Sequence, residues 1–347
     1  MLMVIFGAGA SYDSYSSRRP TNAPIHEYDL VDSARPPLAN QLFSNRVKFI
    51  ETVQSYPACI PIIPFVRHFP TDSSVEKVLE GLQEEANDNP RRHAQLAAVR
   101  HYIRSILLDC EHEWATIHKG VTNYHTLLDE IEGWRRKRDE QVCLVTFNYD
   151  TMLDRALPIV GVNIATLGEY VSQHYKLIKP HGSVNWARQV VSPMNMSALS
   201  DWDVTNELIM KANAFTLTDE YRIVSSRPLG KSPERPLFPA LAIPVISKQD
   251  YECPKPHLGV LDDCIARMTK LLVIGWRANE EHFLRRLAGG IKQALEVMVV
   301  SGSAEDAQKT INNLASTNMR VIGRFQKTEE GFSDFIVSRK VRGFLRS

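Results

Sequence analysis

The chain has 347 residues, 44% hydrophobic and 23% charged, a balance that excludes wholesale disorder, and its length suggests about two domains. Its 41 basic and 40 acidic residues leave a formal charge of +1, so no global field draws it to nucleic acid or an anionic membrane, and neither partner is expected. Five cysteines with no Cys-x-x-Cys pair fit core thiols in a reducing, cytoplasmic setting, and the eleven histidines form no HExxH or comparable cluster, so no metal site is expected.

Met1–Phe6 runs into Gly7 without a charged n-region or a small-residue cleavage site. It reads as a strand, Leu2–Phe6, and not as a signal peptide. No apolar stretch reaches the roughly 20 residues of a spanning helix. Val142–Phe147, Leu241–Ile246, Leu271–Ile274 and Val297–Val300 are further continuous apolar runs of the kind that parallel strands show when helices cover both faces. Val162–Thr166, Tyr175–Lys179 and Met319–Ile322 are weaker candidates. Helical segments between the runs predict an α/β fold with a mostly parallel sheet.

From the first strand to Val142 the pattern is helical. Pro37 to Val53 reads as a helix, and Ser73-Ser74-Val75-Glu76 has the form of a capping box opening Val75–Glu85. Arg91–Ile117 and Tyr124–Arg136 carry apolar residues at helical spacing, the latter with Leu127, Leu128, Ile131 and Trp134 on one side. A helical insertion is therefore expected after the first βα unit, and residues 185–235 are expected to form an irregular excursion or lid. The basic runs Arg135–Arg138 and Arg339–Arg342 read as a helix end complementing its dipole and as the polar face of a last helix. Phe332, Phe335, Ile336 and Phe344 supply that helix's apolar side.

Three polar motifs stand at strand ends, where open α/β sheets place ligands. Gly7-Ala8-Gly9-Ala10-Ser11 follows the first strand; glycines there allow a tight turn and a close approach to a phosphate. Tyr12 replaces the third glycine of the ordinary dinucleotide fingerprint, and Asp29 and Asp32 lie in a Pro-rich stretch unsuited to reading a ribose. Thr146-Phe147-Asn148-Tyr149-Asp150 closes the second strand, and Pro180-His181-Gly182-Ser183 follows Tyr175–Lys179. Read without ligands, Asn148 and Asp150 would merely cap a helix starting near Thr151.

In this order the three motifs resemble those of the sirtuin (Sir2) superfamily: a Gly-Ala-Gly-x-Ser loop, Thr-x-Asn-x-Asp and His-Gly. Leu272–Trp276 and Val299–Gly302 are similar to two further strand-end elements of that family. The resemblance covers about half of the chain. It implies a Rossmann-like sheet formed by residues 1–36 and 141–347, with 37–140 as the helical insertion. The chain lacks the paired cysteines of the deacylases' zinc module, so no zinc is expected. It also lacks the Gly-Ile-Pro-x-Phe-Arg continuation of the glycine loop, and Arg277 stands where the element resembled by Leu272–Trp276 commonly has Ser.

The chain is more similar to the Sir2-like NAD hydrolases of bacterial anti-phage defence. That resemblance implies NAD+ as substrate and cleavage to nicotinamide and ADP-ribose. It implies Asn148 and His181 as catalytic residues, Asn148 holding a ribose hydroxyl or water and His181 acting as general base. Gly7, Ala8, Gly9, Ser11, Thr146, Asp150, Gly275, Trp276 and Ser301 would contact NAD+, Asp150 through the nicotinamide carboxamide. It also implies a homo-oligomer, or a partner such as a HerA-type ATPase or a short Argonaute. A non-catalytic NAD or ADP-ribose sensor and an NAD-dependent protein deacylase are the alternatives, with an ordinary dehydrogenase behind them.

Overall fold

Runs of aliphatic residues without polar alternation become strands buried on both faces in the computed structural model, which describes residues 1–14, 34–70, 73–118, 121–192, 196–232, 235–245, 251–316 and 322–347. In chain order the strands are β1 (Leu2–Phe6), β2 (Val142–Thr146), β3 (Tyr175–Ile178), β4 (Gly182–Val191), β5 (Thr216–Ile223), β6 (Leu237–Leu241), β7 (Lys270–Ile274), β8 (Leu295–Val300) and β9 (Ile322–Thr328). Two compact units result. Met1–Pro36, Glu111–Pro180 and Lys255–Ser347 form the first, and Pro37–Cys110 and His181–Pro254 the second.

The first unit is an α/β domain around a six-stranded sheet of order β3-β2-β1-β7-β8-β9, in which every neighbouring pair is parallel. All five residues of β1 are fully buried. Strand order runs backward from β1 to β3 and forward from β7 to β9, so the topological switch lies between β1 and β7, where such sheets bind ligands. The helix Asn123–Arg138 ends in the expected basic run, and Asp139 takes a left-handed conformation at its C-cap. Arg135 and Arg136 both pair with Glu132. The C-terminal segment forms two helices instead of one, Gly331–Val337 and Lys340–Arg346. They divide at Arg339, whose φ is +57°.

The second unit joins helices to a three-stranded antiparallel sheet of order β5-β4-β6. This corrects two expectations. The run Leu241–Ile246 is no parallel strand: its first residue closes β6, which contains Pro239, a residue an edge strand tolerates; 242–245 carry no strand, and Ile246 lies outside the described residues. Residues 185–235 are not simply irregular, for they hold most of β4, all of β5 and the helix Asp201–Met210, whose cap is Ser200 accepting from the Asp203 N–H at 3.2 Å. Val162–Thr166 is not a strand either. Most of Met319–Ile322, like Asp29 and Asp32, lies outside the described residues.

The helices Val75–Glu85 and Pro90–His118 stand close to where periodicity places them. The first is capped by Ser74, accepting from the Lys77 N–H, and not by Ser73. The boundary between the units falls inside Pro90–His118, and residues 111–140 belong to the sheet-bearing unit. All five cysteines are buried and unbridged. Among the described residues no single helix is long and apolar enough to cross a membrane.

His101 in the second unit is 2% exposed and packs edge-on against Phe238 at 5.2 Å. Its Nε2 has no partner among the described residues. Burial, then Arg104 and Arg100, push its pKa down to about 3. A folded pKa below the unfolded value gives stability that is present above pH 6.5 and lost as pH falls towards 3. Between pH 7 and 5 the wild type should therefore lose up to about 2 kcal/mol through this residue. His101→Phe should lose less over that interval, as read by urea unfolding at the two pH values. Equal losses would contradict this origin of acid sensitivity.

Candidate functional site

The loops after β2, β1, β7 and β8 leave one edge of the parallel sheet from four neighbouring strands. Gly7 and Gly9, after β1, pack directly on Gly275, after β7. A Cβ on Gly7 would stand 2.4 Å from the Gly275 carbonyl oxygen, and one on Gly275 would stand 2.4 Å from the Ala10 nitrogen. The Gly7 N–H donates to the Ile274 carbonyl at 3.0 Å and the Gly9 N–H to the Gly275 carbonyl at 3.2 Å. These glycines thus close the switch point by backbone contact, and their amides are engaged within the protein. Ala8, an exposed residue, starts the helix Ala8–Asp13, and its N–H has no backbone partner among the described residues.

Ser11, on that short helix, is 1% exposed and meets the loop after β2. Its Oγ accepts from Asn148 Nδ2 at 2.9 Å and lies 2.9 Å from the Tyr124 hydroxyl. Asn148 Nδ2 also donates to the Tyr124 oxygen at 3.3 Å. The Asn148 N–H donates to Thr146 Oγ1 at 3.1 Å, which folds the loop back on the strand end. Asn148 Oδ1 is buried with no partner among the described residues. A buried carbonyl oxygen left unpaired is costly and needs an explanation, and a ligand supplies one.

Carboxylates lie behind this amide. Asp150 Oδ1 accepts from the Met152 N–H at 3.0 Å, while the N-cap of the helix Met152–Ala156 is Thr151 and neither Asn148 nor Asp150. Burial raises the Asp150 pKa, against the pull of Lys179 and a hydrogen bond from Ser11. Glu111 accepts from both the N–H and the hydroxyl of Thr151 at 2.6 Å. Its own burial, then the charge of Asp150, push its pKa up to about 7. Lys179, fully buried, donates to the Asp150 carbonyl at 2.6 Å and to Asp154 Oδ2 at 3.0 Å. Tyr170 donates to Asp154 Oδ1 at 2.6 Å. These bonds make the loop carrying Asn148 rigid, the preorganisation a binding or catalytic group needs.

The remaining predicted residues divide differently. Trp276 is buried, stacked on Phe147 at 5.2 Å, and its indole N–H donates to Glu280 at 2.6 Å. It is a packing residue in this arrangement. Ser301 is tied through its backbone to Thr328 and Gly331. Arg277 reaches Asp306 at 3.6 Å. His181 is buried in the second unit, its carbonyl accepting from the Ala242 N–H at 3.0 Å.

Sequence reasoning missed Tyr124, Glu111 and Lys179. Glu111 stands among Asp109, His112 and Glu113, and the sequence does not set it apart. Lys179 ends an apolar strand run. A charge placed so was the available signal. Among the described residues no three His, Cys, Asp or Glu side chains are grouped to hold a metal ion.

Neither any family model nor any curated protein matches the chain. Among solved structures it is similar to a Sir2 homologue variant in complex with ADP-ribose, at 11% identity over 99% of this chain and 90% of that one, with a TM-score of 0.40. It is likewise similar to a variant Sir2 homologue in complex with 2'-O-acetyl ADP-ribose, at 15% identity over 100% and 93%, TM-score 0.39. A third is Sir2Tm bound to a propionylated peptide, at 14% identity over 99% and 94%, TM-score 0.37.

Proposed function

We propose that the chain is a Sir2-like NAD+ glycohydrolase, cleaving NAD+ to nicotinamide and ADP-ribose, and that it serves as an NAD-depleting effector of anti-phage defence. The observation that carries the reading is Asn148. Its amide nitrogen is held by Ser11 of the glycine loop, 137 residues away, while its oxygen is buried and unpartnered. Two motifs that resemblance assigns to one NAD+ site thus meet through a direct hydrogen bond. The missing partner is a hydrogen-bond donor, as a ribose hydroxyl or a water is.

The chemistry asks little covalent work of the protein. The bond between nicotinamide and ribose breaks with its electron pair going to the nicotinamide nitrogen, and positive charge develops on the ribose as in glycoside hydrolysis. Water attacks the ribose carbon and gives up a proton. In this account Asn148 holds the hydroxyl or the water through Oδ1, and His181 takes the proton as general base. Asp150 receives the nicotinamide carboxamide. The Ala8 N–H faces the pyrophosphate, and Gly7, Gly9 and Gly275 shape the loop that presents it. The working form is a homo-oligomer or an assembly with a partner such as a HerA-type ATPase or a short Argonaute.

The test is nicotinamide release in ¹⁸O-labelled water, with and without an acetyl-lysine peptide. Hydrolysis predicts equal release in both and one label in ADP-ribose. Release only with the peptide would overturn it in favour of a deacylase. Tight ADP-ribose binding without release would favour a sensor.

A further inference from the structure

Tyr124 opens a helix as one more residue on its apolar side, yet it is the third member of the Asn148–Ser11 contact. Its ring is 1% exposed and fixed edge-on against Phe6 at 5.2 Å and Phe332 at 5.6 Å. A phenol held between two rings delivers its hydroxyl with little freedom. The hydrogens can then be counted. The Ser11 and Tyr124 hydroxyls lie 2.9 Å apart, and either can donate to the other. Both hydrogens of Asn148 Nδ2 are used, one on Ser11 Oγ and one on the Tyr124 oxygen. Only Asn148 Oδ1 remains open.

We propose that Tyr124 is a positioning residue for Asn148, locking the amide so that it offers an acceptor, never a donor, to the bound molecule. The ligand group at that point must then carry an O–H or N–H. This inference rests on the assignment of Asn148 to the NAD+ site. Without the tyrosine oxygen, one amide hydrogen loses its acceptor and the amide is free to turn over. Burial raises the phenol pKa well above its ordinary value.

The experiment is Tyr124→Phe, which keeps the ring and its packing and removes only the hydroxyl. For NAD+ cleavage we expect kcat to fall about tenfold or more, with KM within about threefold. The pH profile should be unchanged, because no titrating group is lost. Combined with Ser11→Ala, the double variant should be little worse than the worse single one. A second readout needs no turnover: the side-chain NH₂ signals of Asn148, assigned with Asn148→Asp. They should exchange slowly in the wild type and fast in Tyr124→Phe. Unchanged kcat, or unchanged amide exchange, would overturn the role of Tyr124. If the wild type neither cleaves nor binds NAD+, the assignment of the site fails instead, and the amide exchange alone still decides the role of the tyrosine.

Discussion

Gly275→Ala is expected to destabilise the sheet-bearing unit by about 2–4 kcal/mol, read as a fall in urea midpoint or Tm. Two independent costs add. The residue has φ of +60°, a left-handed conformation that costs an alanine about 1 kcal/mol. The new methyl group would also stand 2.4 Å from the Ala10 nitrogen, 2.6 Å from the Gly9 carbonyl carbon and 2.8 Å from the Gly9 Cα. All three are backbone atoms of the facing loop, so no side chain can rotate away. Relief requires the loops after β1 and β7 to separate, which pulls on the Gly9 N–H bond to the Gly275 carbonyl. Overpacking of this kind costs roughly 1–3 kcal/mol. NAD+ binding should weaken together with stability. A variant as stable as the wild type would contradict the packed switch point.

Asn148→Ala is expected to behave in the opposite way. Nicotinamide release should fall by at least ~100-fold, the usual loss when a preorganised polar contact to the transition state is removed. Stability should change by no more than about 1 kcal/mol. Its removal takes away a buried oxygen that has no partner in the protein, and the Ser11 and Tyr124 hydroxyls, 2.9 Å apart, still satisfy each other. A structural asparagine would show the reverse, with a large loss of Tm and activity falling only in proportion. Circular-dichroism melting beside the activity assay separates the two.

Most strands of the parallel sheet were legible because a strand covered on both faces cannot alternate; the edge strand β9, whose Arg324, Gln326 and Lys327 break any apolar run, was not. β1, β7 and β8 announce themselves as unbroken apolar runs. The antiparallel sheet was not legible for the complementary reason. β5 is at most partly buried along its whole length and leaves no apolar run to find, and β6 is an apolar run that Pro239 interrupts, so the strand was read from Leu241 onward instead. The site was half legible. Asn148, Ser11 and Asp150 stand in motifs that can be read as strings, and the structure brings these three together. The use of Gly7 and Gly9 was not, because their partner Gly275 is far along the chain and the glycine pattern alone cannot distinguish a phosphate from a neighbouring backbone. Tyr124 sits at a helical spacing that promises only burial. The target of its hydroxyl lies 113 residues away. Periodicity reports which face is buried, not which polar atom waits there.

The most direct measurement of the central claim is the incubation of purified protein with NAD+, following nicotinamide and ADP-ribose by chromatography, beside the His181→Ala variant. The account predicts release of both products by the wild type, and NAD+ binding without release by the variant. A wild type that neither releases nicotinamide nor binds NAD+ in calorimetry would contradict it.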